Sequence, residues 1–400
     1  MKYMTWKTTI LAGLLSAALV TVAQAGPREQ AKRIHDRLAG VPPTEAVLQT
    51  MEADVDPFQN NNPLAAAYTA MDNPNFYNVT LKNFAAPWTN RDQSAFVPLN
   101  DYIATVIGII RDDDPALGFN QLLSADVLYV GAAGLPVASY SSSSNQHYAD
   151  IEAQSLDMSD PLVLERRIQS NLPGSVPGPA TAGVITSRGA AEAFFIAGTN
   201  RAMFRFTMLN HMCNDMEQVH DVTRIPDRIR QDVPRSPGGD SRLFLNNCIG
   251  CHSGMDPLAG AYAYYNYNDP NNDLTGSIEY TNGVVQPKYF NNEDNFPFGY
   301  VTTDDSWMNY WRAGPNAYLG WDSSLPGNGN GAKSLGMELG NSDAFASCQV
   351  RKVFKAVCLR EPEDQFDRTQ VATMVGTFKA NGTYSMKRVF ADAAVYCMGQ

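Results

Sequence analysis

Histidine and cysteine are scarce in this chain, five and six among 400 residues. No apolar run approaching 18 residues occurs after the first 25, which excludes a membrane-spanning helix in the later chain. Basic residues are also short, 30 Lys and Arg against 41 Asp and Glu. That balance argues against nucleic acid and anionic lipid as partners and reads as plain solubility. No internal repeat of useful length is present, and no cysteine near the start offers a lipid attachment point.

The start itself has the three parts of a secretory signal. Lys2 and Lys7 supply charge, Ile10 to Val22 an apolar run, and Ala23-Gln24-Ala25 a small-x-small cleavage site. Residues 1–25 are therefore expected to be a removed signal peptide, with the mature chain periplasmic or secreted in a bacterium. Removing the two lysines leaves 28 basic against 41 acidic residues, a formal −13. Roughly 375 residues remain, enough for two or three packed units.

The expected fold class is mainly α, in three parts. Residues 26–182 read as a mostly helical domain, with helices at 43–51 and 99–110, while 119–130 is ambiguous between helix and strand. The loop cluster "SNLPGSVPGPATAG" (170–183) marks the first boundary. Residues 183–332 open with a long helix at 190–213, its apolar face at Phe195, Ala202, Phe206 and Leu209, weakened but not ended by Gly198. Long loops rich in Asn, Asp, Gly and Tyr fill 256–332, with a short hairpin turning at Asn282-Gly283. Residues 333–400 predict three antiparallel helices, 343–359, 367–379 and 385–397. Ser342 or Asp343, Asp364 or Asp367, and Ser385 cap them, and Gly382 ends the second.

Between the long helix and the loops stands "NNCIGCHSGMDPLAG" (246–260). Cys248, Cys251 and His252 form C-x-x-C-H, the attachment pattern of c-type haem. Each thiol can add to one vinyl group, and the histidine after the second cysteine is placed to ligate the iron. A redox dithiol needs a βαβ setting that the flanks do not suggest. A zinc site needs a second ligand pair at finger spacing, and Cys348 and Cys358 lie ten apart with no histidine nearby. One covalent haem is the expected cofactor.

The sixth iron position points to Met337, on the glycine-rich "GNGNGAKSLGMELG" read as a loop just ahead of the terminal helices, with Met308 the second choice. Met255 follows His252 too closely to reach the opposite face. His35, His147, His211 and His220 each read as ordinary surface or core residues.

The remaining cysteines, 213, 348, 358 and 397, are even in number, which suits two disulfides outside the cytoplasm. If the terminal helices run up, down, up, Cys358 meets Cys397 and Cys213 is left for Cys348. Cys348 and Cys358 cannot join within one helix, where ten residues span about 15 Å. "NDPNNDL" (268–274) has spaced oxygen ligands that could hold calcium, but lacks the glycine and closing glutamate of a full loop and reads as an Asx-rich turn.

In motif and order the chain resembles predicted monohaem c-type cytochromes of planctomycetes and some marine proteobacteria, built from consecutive domains of unknown function. "RIHDRLAGVPPTEAVLQTM", "FNQLLSADVLYV", "AGVITSRGA", "NNCIGCHSGMDPLAGAYAYYN" and "LGMELGNSDAFASCQVRKVFKAVCLREP" carry the likeness over most of the chain. Cys248, Cys251 and His252 take the family's haem positions and Asp256-Pro257-Leu258 its D-P-L element. Ala259 interrupts the usual D-P-L-G, and asparagines replace the acidic residue that follows the aromatic run. The resemblance implies haem and electron transfer, and names no substrate.

Three functions compete. The first is an exported carrier of single electrons to or from a redox partner protein. The second is a peroxidase- or oxygenase-like haem enzyme with an open sixth position, recruiting His211 or His220; a di-haem enzyme would need a second C-x-x-C-H. The third is a surface protein with structural haem, whose loops at 261–311 would form a carbohydrate face.

Overall fold

A computed structural model describes residues 25–196, 200–269 and 275–399; nearly all of the expected signal segment (1–25), Gly198 and most of 268–274 lie outside them. The fold is mainly helical. Helices α1 (Pro27–Ala39), α2 (Glu45–Val55) and α3 (Pro63–Met71) pack on one another at the start. Thr44 caps α2 by accepting from Val47 N, and Asn62 caps α3 from Ala65 N. Helix α4 (Asp101–Asp112) follows, capped by Asn100 from Ile103 N. Every residue from Asp101 to Ile110 is buried, as expected of a helix apolar on nearly all sides.

The stretch 119–130 resolves into both readings, a 3-10 turn at Phe119–Leu123 and then strand β1 (Val127–Gly131). After helix α5 (Gln146–Ala153), strand β2 (Leu164–Ile168) pairs antiparallel with β1, Val127 opposite Ile168. Gly108 of α4 lies flat under the Tyr129 ring of β1, where a side-chain carbon would come within 2.1 Å. The Pro- and Gly-rich 170–183 folds into short turns, burying Leu172, Val176, Ala180 and Ala182.

The predicted helix at 190–213 is two helices, α6 (Arg188–Phe194) and α7 (Ala202–Met212). Phe195 sits outside helical geometry at φ −97°, ψ 0°, yet remains buried, stacked on Tyr265. Tertiary packing of that ring outweighs the helical pattern. Helix α8 (Ile249–Ala259) carries Cys251 and His252, with Cys248 at its N-cap.

Strand β3 (Tyr265–Asn268) pairs with β4 (Ser277–Tyr280), Tyr265 opposite Tyr280. The expected hairpin across Asn282-Gly283 does not form. A turn is present, with Gly283 at φ +75° and Val284 N donating to Thr281 O, but Pro287 follows and opens a 3-10 turn instead of a strand. Strands β5 (Ser306–Met308) and β6 (Asn328–Asn330) then pair.

The segment carrying Met337 is no loop. It is helix α9 (Gly331–Gly340). Its glycines serve close packing: side-chain carbons on Gly336 and Gly340 would lie 1.8 Å from Leu123 O and 2.1 Å from Asn120 O.

Helices α10 (Asp343–Cys358), α11 (Gln365–Lys379) and α12 (Met386–Cys397) pack on one another at the positions expected. Ser342, Asp364 and Ser385 accept from Phe345, Asp367 and Arg388 N–H groups. The disulfides are Cys213–Cys348 and Cys358–Cys397. Helix α12 also packs on α1 and α3, and Arg33 and Arg37 reach Met398 O and Cys397 O at 3.0 and 3.2 Å. One apolar cluster runs from Ala31 to Ala394. Among the described residues no helix is long and apolar enough to cross a membrane.

Candidate functional site

The chain is helical from Ser241 to Ala259. Asp240 caps a first turn at Ser241–Leu243, a wider π turn covers Phe244–Cys248, and α8 continues. Spacings of three and four put Cys248, Cys251, His252 and Met255 on one side of this helix. The other side is docked by two glycines. A side-chain carbon on Gly250 would lie 2.2 Å from His220 Nε2, and one on Gly254 2.0 Å from Nε1 of the fully buried Trp311. The helix is thereby pressed inward on its bare face, leaving Cys248, Cys251 and His252 half-exposed together.

Cys248 and Cys251 are free thiols, unlike the four cysteines in disulfides. Cys251 Sγ lies 3.4 Å from Met216 O, and burial, with Glu217 adding, pushes its thiol pKa up. A thiol held neutral in this way is a poor nucleophile for disulfide exchange.

His252 Nδ1 is 3.1 Å from Asp256 Oδ1, one turn on. Asp256 is completely buried. Burial opposes its charge, but Arg201 and Arg230 outweigh burial and hold the carboxyl well below the usual range. A carboxylate can only accept, so Nδ1 is the donor in this contact and Nε2 lies on the outer side of the ring.

Behind Asp256 the charges form a compact net. Arg201 Nε and Nη2 donate to Asp256 Oδ1 and Oδ2 at 2.7 and 3.0 Å. Its Nη1 and Nη2 donate to Asp232 at 2.8 and 2.7 Å, and Nη1 also reaches Asn200 Oδ1 at 2.9 Å. Arg230 gives its backbone N–H to Asp256 Oδ2 at 3.2 Å, with its guanidinium 3.7 Å from Oδ1. That guanidinium lies 4.7 Å from the Tyr289 ring centre. Among the described residues its Nε and Nη1 have no acceptor although buried.

The side chains weighed for the position opposite His252 sit on different elements. Met337 is 43 % exposed on α9, which packs on Phe119–Leu123 and Gly260–Tyr262. Met308 is half-buried in β5, a strand that packs on α8. His220 is exposed beside Gly250. His211 is a core residue: Tyr102 Oη is 2.6 Å from its Nε2, and burial, with Lys352 adding, drives its pKa well down.

The aromatic segment at 261–311 faces inward for the most part, with Tyr262, Tyr265, Tyr267, Tyr289, Trp307 and Trp311 buried. Phe298 is exposed, and Tyr280, Phe290, Phe296, Tyr300 and Tyr310 are half-buried.

Among the described residues no group of three or more His, Cys, Asp and Glu side chains is gathered to hold a metal ion alone. Asp256 was legible at i+4 from His252 in any helical reading, but Arg201, Asp232 and Arg230, remote in sequence or outside the motif, carried no local signal. Compared with known proteins, the chain matches no family model, no curated protein and no solved structure.

Proposed function

We propose that this protein is an exported monohaem c-type cytochrome carrying single electrons to or from a redox partner protein, in the manner its resemblance to predicted monohaem cytochromes implies. The observation that carries the reading is the shared helix face. Two free thiols and a histidine stand side by side, half-exposed, with Nε2 directed away from the Nδ1–Asp256 bond. Cys248 and Cys251 would each add S–H across one vinyl group, the sulfur forming a thioether and the hydrogen going to the other vinyl carbon. His252 Nε2 would ligate the iron. When bound, haem would supply a one-electron couple. Met337, with Met308 second, is proposed for the sixth position.

A haem enzyme with an open sixth position is the second reading, favoured by the carboxylate behind His252, because an acceptor there raises the basicity of the ligand. A reduced-minus-oxidised spectrum with a carbon monoxide titration separates the two. A low-spin spectrum that resists carbon monoxide is expected for a carrier. Rapid binding would select the enzyme, and the absence of any haem spectrum would end both readings.

A further inference from the structure

We propose that Asp256 is a positioning residue for His252 that biases a bound haem iron toward its oxidised state, with Arg201 setting how strongly. This rests on the haem reading above and adds a direction to it.

Three observations carry the inference. Asp256 lies on the helix turn that follows His252, its side chain wholly buried, with Oδ1 3.1 Å from Nδ1. The ring therefore donates to a charged acceptor rather than to a backbone carbonyl. Negative charge accepting from Nδ1 pushes electron density toward Nε2 and stabilises the more positive iron. Second, Arg201 grips both oxygens of Asp256 and both of Asp232. Two carboxylates against Arg201 and Arg230 leave the net formally neutral, so the buried charge is tolerated. Third, Arg201 draws on Oδ1, the same oxygen that His252 uses. Its hold moderates what reaches the ring.

The signs follow. Asp256→Asn keeps the shape and a carbonyl acceptor but removes the charge, so the reduced state should gain. A tenfold change in the ferrous-to-ferric ratio corresponds to a rise of about 59 mV for one electron. Asp232→Asn removes equal charge on the far side of Arg201 and should move the potential by much less. Arg201→Lys keeps the charge but loses the two-pronged hold. It frees Asp256 toward His252 and should lower the potential.

The test is a spectroelectrochemical titration of the haem-loaded wild type and these three variants. A rise in Asp256→Asn at least twice that in Asp232→Asn, with a fall in Arg201→Lys, is the expected result. Equal rises in the two aspartate variants would reduce the effect to general electrostatics and overturn the inference, as would no shift at all. If Asp256→Asn does not fold, the sign in Arg201→Lys decides: a fall supports the inference and a rise or no change overturns it. A wild type that takes up no covalent haem would instead overturn the reading of the site beneath it.

Discussion

Replacing Arg201 by Met should cost about 3 kcal/mol of stability, most of it from the two carboxylates left behind. The guanidinium makes five hydrogen bonds, two to Asp256, two to Asp232 and one to Asn200. The side chains of Asp256 and Asp232 are 0 and 6 % exposed, so water cannot replace it. Breaking a buried pair from one side costs about 3–5 kcal/mol. The lower end applies because Asp256 keeps His252 and the Arg230 backbone N–H, while Asp232 keeps Asn200 Nδ2 at 2.9 Å. Met covers the apolar stem of the lost side chain, so little of the loss is cavity. Arg205→Met is the internal control. Arg205 pairs with Asp215 through two bonds of 2.7 and 2.6 Å, but the side chains are 50 and 30 % exposed, and such pairs are worth about 0–1 kcal/mol. Urea unfolding at pH 7, followed by far-ultraviolet circular dichroism, compares the midpoints at unchanged slope. Equal losses in the two variants would refute the argument that burial of the pair raises the cost.

Gly254→Ala should destabilise by at least about 1–3 kcal/mol through overpacking against Trp311, whereas Gly250→Ala should cost less because the exposed His220 ring can swing aside; thermal melts of both rank them. Replacing Cys213 and Cys348 together by Ala should remove about 2–4 kcal/mol, read from denaturant midpoints without reductant. Lys288 is buried, donates to Phe195 O at 2.8 Å, and has its pKa pushed down by burial to about 7. Between that value and about 10.4 the unfolded chain holds a proton that the folded chain lacks, so this lysine's contribution to stability rises with pH across the window. Lys288→Met should flatten that rise in unfolding midpoints taken from pH 7 to 10, and an unchanged slope would show that Lys288 is charged in the fold.

Where local chemistry decides, the sequence was readable. Ser342, Asp364 and Ser385 cap the terminal helices because each precedes an apolar-periodic run and can accept an N–H three residues on. Their up-down-up order then brought Cys358 to Cys397 and left Cys213 for Cys348. Where distant packing decides, it was not. Gly336 and Gly340 suggested a loosened loop around Met337, yet they are glycines because α9 lies against the backbone of Leu123 and Asn120. The long helix is interrupted where Phe195 turns to stack on Tyr265, seventy positions on. The site shows the same division. Cys248, Cys251 and His252 share a face through spacing alone, while the net behind His252 draws on Arg201, Arg230 and Asp232, which only the fold brings together.

The central claim is tested most directly by mass spectrometry of peptides from protein made in a strain that matures c-type cytochromes. The account predicts that the peptide spanning Cys248 to His252 carries one covalently bound haem, lost when both cysteines are replaced by Ala, with Cys213–Cys348 and Cys358–Cys397 intact elsewhere. An unmodified peptide with two free thiols, or one with a Cys248–Cys251 disulfide, would contradict it.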